Sequence, residues 1–394
     1  MKNAFSNAAI ACVMGDMDMV RPLGLAGVRC AVVTHLGTPA LHSRYTKDVI
    51  LWEDSTKNQD ELVEEMVRWG RAQAEKPVLF YQDDNQLLIA SRYRDRLAEA
   101  FRIPIAEPEL IEDLVDKGRF QALAERLDLP VPATRRLFPT RDLAPVAIDL
   151  RFPLIIKPLT RRKVWDLTEG FGKALQVNGI DELRALWPKL AAVGLDVLAQ
   201  EMIPGPETRI ESYHVYVDPQ GAIAGEFTGR KIRTYPLEYG HSTALTITDE
   251  ADVATLGRKM VEVLGLTGVA KFDFKRAPDG SLHLLEVNPR FNLWHHLGAV
   301  AGVNLPALVY ADTLGLPRPA VSKARVGACW CSMTKDLKAA RESGVPMGQW
   351  LPWMMRCEAK ALVMDDPMPF LFNQFNRFLP SNIRRTRPVD ALKA

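Results

Sequence analysis

Along the first hundred residues, short apolar runs alternate with stretches of helical spacing. Residues 8–14 read as a buried strand, Val20, Leu23 and Leu25 mark a helix, and residues 29–34 form a second strand. Residues 49–52, 61–71 and 78–81 repeat the strand, helix, strand order, which predicts a βαβ opening with a parallel sheet. Gln82-Asp83-Asp84 follows the last of these strands, and loops at the carboxyl ends of parallel strands line a ligand crevice. Asp83 and Asp84 are therefore substrate-contact candidates, with capping of the helix near Asn85 as the plainer alternative. No G-x-G-x-x-G accompanies the first turn, which argues against a dinucleotide site.

Further on the pattern changes. Residues 116–132 predict a helix with a proline-bounded exit, and residues 152–158 a short buried strand interrupted by Lys157. A lone ammonium in such a run is costly unless it meets an anion. Strands are predicted again over 174–177, 197–203, 210–217 and 222–228, the last two joined by the turn Asp218-Pro219-Gln220-Gly221, as in an antiparallel sheet. Residues 229–243 read as a polar, cationic connection. There Arg230, Lys231 and Arg233 suit a carboxylate or phosphate, and His241 suits a substrate contact or proton shuttle, with a hydrogen-bonded loop histidine as the alternative.

The stretch with the most specific chemistry is 270–290. Residues 272–275 and 282–287 are apolar runs around the turn Pro278-Asp279-Gly280, so a β-hairpin is predicted. Glu286 and Asn288 are two apart and share a face of their strand, and Asp273 joins them from the facing strand. Two carboxylates and an amide oxygen are hard ligands of the kind Mg²⁺ takes beside nucleotide phosphates.

Composition narrows the classes. A chain of 394 residues suits two or three domains at roughly 150 residues each. A formal charge of +2 gives no reason to expect nucleic acid as a partner. Cys12, Cys30, Cys329, Cys331 and Cys357 form neither a disulfide framework nor a zinc pattern, so a cytoplasmic location is expected. His295 and His296, after Asn292 on a predicted helix, point in different directions, which makes a zinc site improbable.

At Asp273, Glu286 and Asn288 the sequence resembles the ATP-grasp superfamily. The general look of the chain is similar to bacterial ATP-grasp carboxylate-amine ligases related to D-aspartate ligase. The resemblance implies α/β and α+β architecture: a Rossmann-like domain over 1–108, an ATP-grasp fold of two α+β subdomains over 109–315, and a C-terminal extension over 316–394 packing on the core. It implies ATP and two Mg²⁺ ions, with Mn²⁺ as the alternative, held by Asp273, Glu286 and Asn288. Arg290 then meets the transferred phosphoryl group or the substrate carboxylate. Lys117 and Lys157 take the positions of phosphate-binding lysines. Residues 159–175 take that of the loop over the phosphates; it has only Gly170 and Gly172, so Arg161, Arg162, Lys163 and Lys173 would supply charge, Lys173 foremost. Glu201, Ile203 and Glu207 match the hinge that reads adenine and ribose.

The implied activity is ligation of a carboxylate to an amine through an acyl phosphate, with an amino acid among the substrates and Lys231, Arg233 and His241 near the carboxylate. A bicarbonate-activating carboxylase and a nucleotide-binding scaffold without turnover are the alternatives. The partners implied are small molecules, with a homodimer open. The aromatic end with Trp330, Trp350 and Trp353, running to Arg384, Arg385 and Arg387, is expected to pack on the core, membrane-surface contact being the alternative.

Overall fold

The computed structural model describes residue 5 and residues 7–54, 56–159, 163–171, 174–237 and 240–378. Strands β1 (Ala11–Met14), β2 (Cys30–Thr34), β3 (Thr46–Leu51) and β4 (Val78–Tyr81) form a parallel sheet in the order β3-β2-β1-β4. β1 and β4 are buried throughout, which is why they read as unbroken apolar runs. β3 begins three residues before its apolar run because it is an edge strand, and Lys47 and Asp48 dilute its pattern. Helices Met17–Leu25 and Gln59–Arg71 make the crossovers.

The second sheet contains β5 (Thr134–Leu137), β6 (Leu154–Pro158), β7 (Leu175–Val177) and β8 (Val197–Glu201), antiparallel in the order β5-β8-β6-β7. Helix Ile180–Val193 covers it through Leu183 and Trp187, which pack with Leu154, Ile156 and Val197. β5 was not legible in the sequence, since it is an edge strand with Arg135 and Arg136 exposed. Within the segment expected to be the loop over the phosphates, a helical turn, Lys163–Leu167, buries Trp165 at a ring-centroid distance of 4.6 Å from Phe171.

The third sheet joins β9 (Ile210–Val217), β10 (Ile223–Tyr235), β11 (His241–Thr248), β12 (Gly268–Arg276), β13 (Leu282–Asn288), β14 (Cys329–Cys331) and β15 (Ala359–Lys360). Its order is β13-β12-β9-β10-β11-β14-β15, antiparallel except for the last pair. The polar connection expected over 229–243 needs correction: β10 runs on to Tyr235 and β11 starts at His241. Its cations are tolerated on a strand because Lys231 reaches Glu207 and Arg233 reaches Asp336. Irregular register on both sides of Arg233 accommodates the two directions.

Helices Trp294–Ala301 and Leu305–Leu314 unite the third sheet with the first: Trp294, Leu297, Leu305 and Tyr310 share one core with Val13, Val20 and Leu23. Among the described residues no single helix is long and apolar enough to cross a membrane; this bent pair passes such a test only when joined across an 87° break, and it is buried. Trp350 packs with Cys329, Cys331 and Cys357 beneath β14. Arg384, Arg385 and Arg387 lie outside the described residues.

Candidate active site

Residues of β12 and β13 form the floor of the site. Their register sets Asp273 opposite Glu286 and Lys271 opposite Asn288. One step later Phe274 pairs with Leu284, so Leu285 is the extra residue of a bulge, and this bulge turns the end of β13 toward a cavity of about 290 Å³. The cavity lies between β6 and β8 on one side and β9, β12 and β13 on the other. It brings together Lys117, Lys157, Glu201, Ile203, Glu207, Lys231, Asp273, Glu286 and Asn288.

Asp273 is only 3% exposed. Burial alone would raise its pKa, yet Lys271 and Lys231, with the Ser212 hydroxyl donating to it, hold it well below the usual carboxylate range. The Lys271 ammonium bonds Asp273 and stands 3.8 Å from Glu286, so it bridges the two carboxylates. Asn288 donates to Glu286 Oε1 at 3.1 Å. Glu286 keeps 57% of its side chain exposed, leaving one side of the group open. Among the described residues no three His, Cys, Asp or Glu side chains gather as a metal cage. An ionised buried carboxylate, a second carboxylate and an amide oxygen fit Mg²⁺, which takes its remaining ligands from phosphates and water.

The cations surround this floor. Lys157 Nζ donates to Gln200 Oε1 at 3.2 Å, and Lys117, in the first turn of the helix capped by Asp116, donates to the Pro158 carbonyl at 3.3 Å. Lys231 is 3.8 Å from Glu207. The Glu201 carboxylate is held by Arg151, with contacts of 2.8 and 3.0 Å. Arg290 spans the boundary with the first sheet: its guanidinium donates to Asn288 Oδ1 at 2.9 Å, to the Gln82 carbonyl at 3.2 Å and to Asp84. Asp83 caps the helix Asp84–Arg92 in a capping box with Gln86.

Arg230, exposed on β10, stands apart from the cavity, as do Arg233 and His241. Arg233 donates to both oxygens of buried Asp336, at 2.8 and 2.7 Å, and lies 4.3 Å from the Trp353 ring. His241 is exposed at the start of β11, opposite Tyr235. Lys173 lies outside the described residues, as do Arg161 and Arg162. Conversely, Lys271 and Lys275 escaped the sequence reading, although the two-residue period places both on the face of Asp273. Lys275 donates to the Gly205 carbonyl at 2.7 Å, and burial lowers its pKa. Ser212 carried no signal, since its role depends on the β9–β12 pairing.

A hairpin carrying two carboxylates and an amide, facing a cavity between two sheets, is the architecture of the ATP-grasp fold. A family model described as "ATP-grasp in the biosynthetic pathway with Ter operon" matches residues 196–335. The chain is 24% identical over 313 residues to D-aspartate ligase of Enterococcus faecium, covering 76% of this chain and 73% of that one. It is 26% identical over 226 residues to D-alanine–D-alanine ligase B of Pseudomonas syringae, covering 55% and 69%. The N5-carboxyaminoimidazole synthetase of Staphylococcus aureus shares the fold with a TM-score of 0.62 at 14% identity, over 86% and 85% of the two chains. By these likenesses the chain has the ATP-grasp fold and is similar, over most of its length, to a carbon–nitrogen ligase.

Proposed function

We propose that the protein joins a carboxylate to an amine through an acyl phosphate, with an amino acid as one substrate. A carboxylate oxygen attacks the γ-phosphorus of ATP, the bond to the β,γ-bridging oxygen breaks, and ADP leaves. The amine nitrogen then attacks the acyl carbon, inorganic phosphate leaves, and the amine's proton passes to phosphate or solvent. Relatives named for D-aspartate and D-alanine ligation support the amino acid reading.

Asp273, Glu286 and Asn288 would hold two Mg²⁺ or Mn²⁺ ions, whose contribution is to neutralise charge on the phosphates. Lys117 and Lys157 would meet the phosphates, and Lys173 is proposed with them. Glu201, Ile203 and Glu207 would border the nucleoside. Lys231 and Arg290 would orient the carboxylate. Arg233 acts as a positioning residue: fixed to Asp336, it anchors the strand that carries Lys231. His241 is proposed to serve at the substrate entrance.

The observation that carries this reading is the buried, ionised Asp273 beside Glu286 and Asn288, in a cavity that also holds Lys117, Lys157, Lys231 and Lys275. The test measures ADP release across acid and amine pairs, with hydroxylamine added to trap the acyl phosphate as a hydroxamate. Acid-dependent hydroxamate is expected. Amide formation without any hydroxamate would oppose the intermediate, and ADP release driven by bicarbonate alone would assign a carboxylase.

A further inference from the structure

A second cavity, of about 370 Å³, lies at the carboxyl ends of the first sheet, where Met14, Thr34, Trp52 and Gln82 end or follow β1 to β4. One three-residue wall separates it from the nucleotide-side cavity: Gln82 and Asp83 line the former and Asp84 the latter. Arg290 grips this wall at the Gln82 carbonyl and at Asp84. A ligand here therefore ends within a residue or two of the guanidinium assigned to the reacting carboxylate.

The two cavities differ in their cations. On the nucleotide side Lys117, Lys157, Lys231 and Lys275 stand among the carboxylates Asp84, Glu201, Glu207, Asp273 and Glu286, whereas among the described residues no lysine or arginine lines the second cavity. Its lining includes Asp16, Glu53, Asp83, the Trp52 indole and the His35 ring, beside apolar Met14, Val33 and Leu62. The rim is fixed: Gln82 accepts from the Asp16 N–H at 2.8 Å and donates to Asp16 Oδ1 at 2.9 Å. A Cβ on Gly15 would stand 2.5 Å from that Gln82 oxygen, so the closure depends on glycine. Asp16 and Asp83 are also committed to helix caps. The Glu53 carboxylate is exposed, and among the described residues it takes part in no hydrogen bond or ion pair.

We propose that this cavity seats the amine substrate and selects an amine with a second positive charge at its far end. The proposal rests on the ligase reading above. Phosphate and the carboxylate acid find lysines only on the nucleotide side, while Glu53, with no cation beside it in the lining of the second cavity, repels them and attracts the cation. Trp52 supplies a face for the stem or for a flat cationic group. The reacting nitrogen then points past Gln82 toward Arg290.

The test compares agmatine and cadaverine with n-pentylamine and L-aspartate as amine probes, following ADP release with the supporting acid. The dications are expected to show KM values at least tenfold below that of n-pentylamine, with L-aspartate the poorest. Glu53→Lys should raise the agmatine KM tenfold or more and leave that of n-pentylamine within threefold. Trp52→Ala should raise both. Hydroxamate formation, which bypasses the amine, reports separately on the acid and ATP. A Glu53→Lys variant that instead changes the KM for ATP or acid, or agmatine no better than n-pentylamine, overturns the inference. If no acid yields ADP or hydroxamate, the ligase reading fails on its own. Calorimetric titration of agmatine then decides the cavity: binding weakened tenfold by Glu53→Lys upholds a cation site, and no binding, or binding indifferent to the variant, overturns it.

Discussion

Asp273 and Glu286 face each other across a hairpin but live in different surroundings, one sealed and bonded by Ser212 and Lys271, the other more than half exposed. Changing the exposed member therefore leaves the packing intact. Glu286→Gln should keep the melting temperature within a few degrees while lowering Mg²⁺-dependent ADP formation at least a hundredfold, because the amide removes one negative charge from the cation's ligands. Undiminished turnover would remove Glu286 from the metal set. The buried histidines make a second prediction. His214 and His295 have no hydrogen-bond partner among the described residues, and burial pushes His295 and His296 down to about 3 and His214 well below its ordinary value. Above about pH 6.5 both folded and unfolded chains keep them neutral. As pH falls through 6.5 the unfolded chain binds protons that the folded one refuses, and stability drops by up to about 1.4 kcal/mol per pH unit for each histidine. Urea midpoints should fall steeply from pH 6.5 to 4.5, and less steeply in His295→Phe. At this scale the meeting of Asp273, Glu286 and Asn288 was legible because period-two spacing fixes a strand face. Burial of His295 and His296 was not, since it depends on the helix Trp294–Ala301 lying between two sheets.

Elements with internal punctuation were read well. The turn at Pro278 to Gly280 and the helix cap at Asp83 are local signals, and both appear where the residues place them. β10 was cut short because Arg230, Lys231 and Arg233 look like loop residues until their partners are known. β14 and β15, at three and two residues, carry no periodicity. Arg233 shows how such a strand is held. Asp336 is fully buried and accepts from Arg233 twice, from Thr243 at 2.8 Å and from Trp350 at 2.8 Å. Asp336→Ala would strand the guanidinium, and a loss of about 3–5 kcal/mol is expected in chemical denaturation. A loss below about 1 kcal/mol would mean that Arg233 relaxes toward solvent and does not anchor β10.

At the scale of the molecule, chain order and spatial order part company. Helix Met17–Leu25 packs against helices Trp294–Ala301 and Leu305–Leu314, with the Asn304 amide donating to the Pro22 carbonyl at 2.7 Å. Arg21 on the same helix donates to the Lys360 and Ala361 carbonyls, both at 2.7 Å. The α/β opening was legible, but nothing local revealed that its core is completed from so far along the chain. Synthesis gives this arrangement a timetable. At about 5–20 residues per second, the roughly 200 residues between the first sheet and its covering helices take about 10 to 40 s to emerge. For that interval the nascent first sheet has a bare apolar flank, a natural client for ribosome-associated chaperones. A fragment of residues 1–108 should accordingly bind the dye ANS strongly and aggregate, where the full chain does neither. A monomeric, cooperatively melting fragment would show that the opening matures without waiting for the rest.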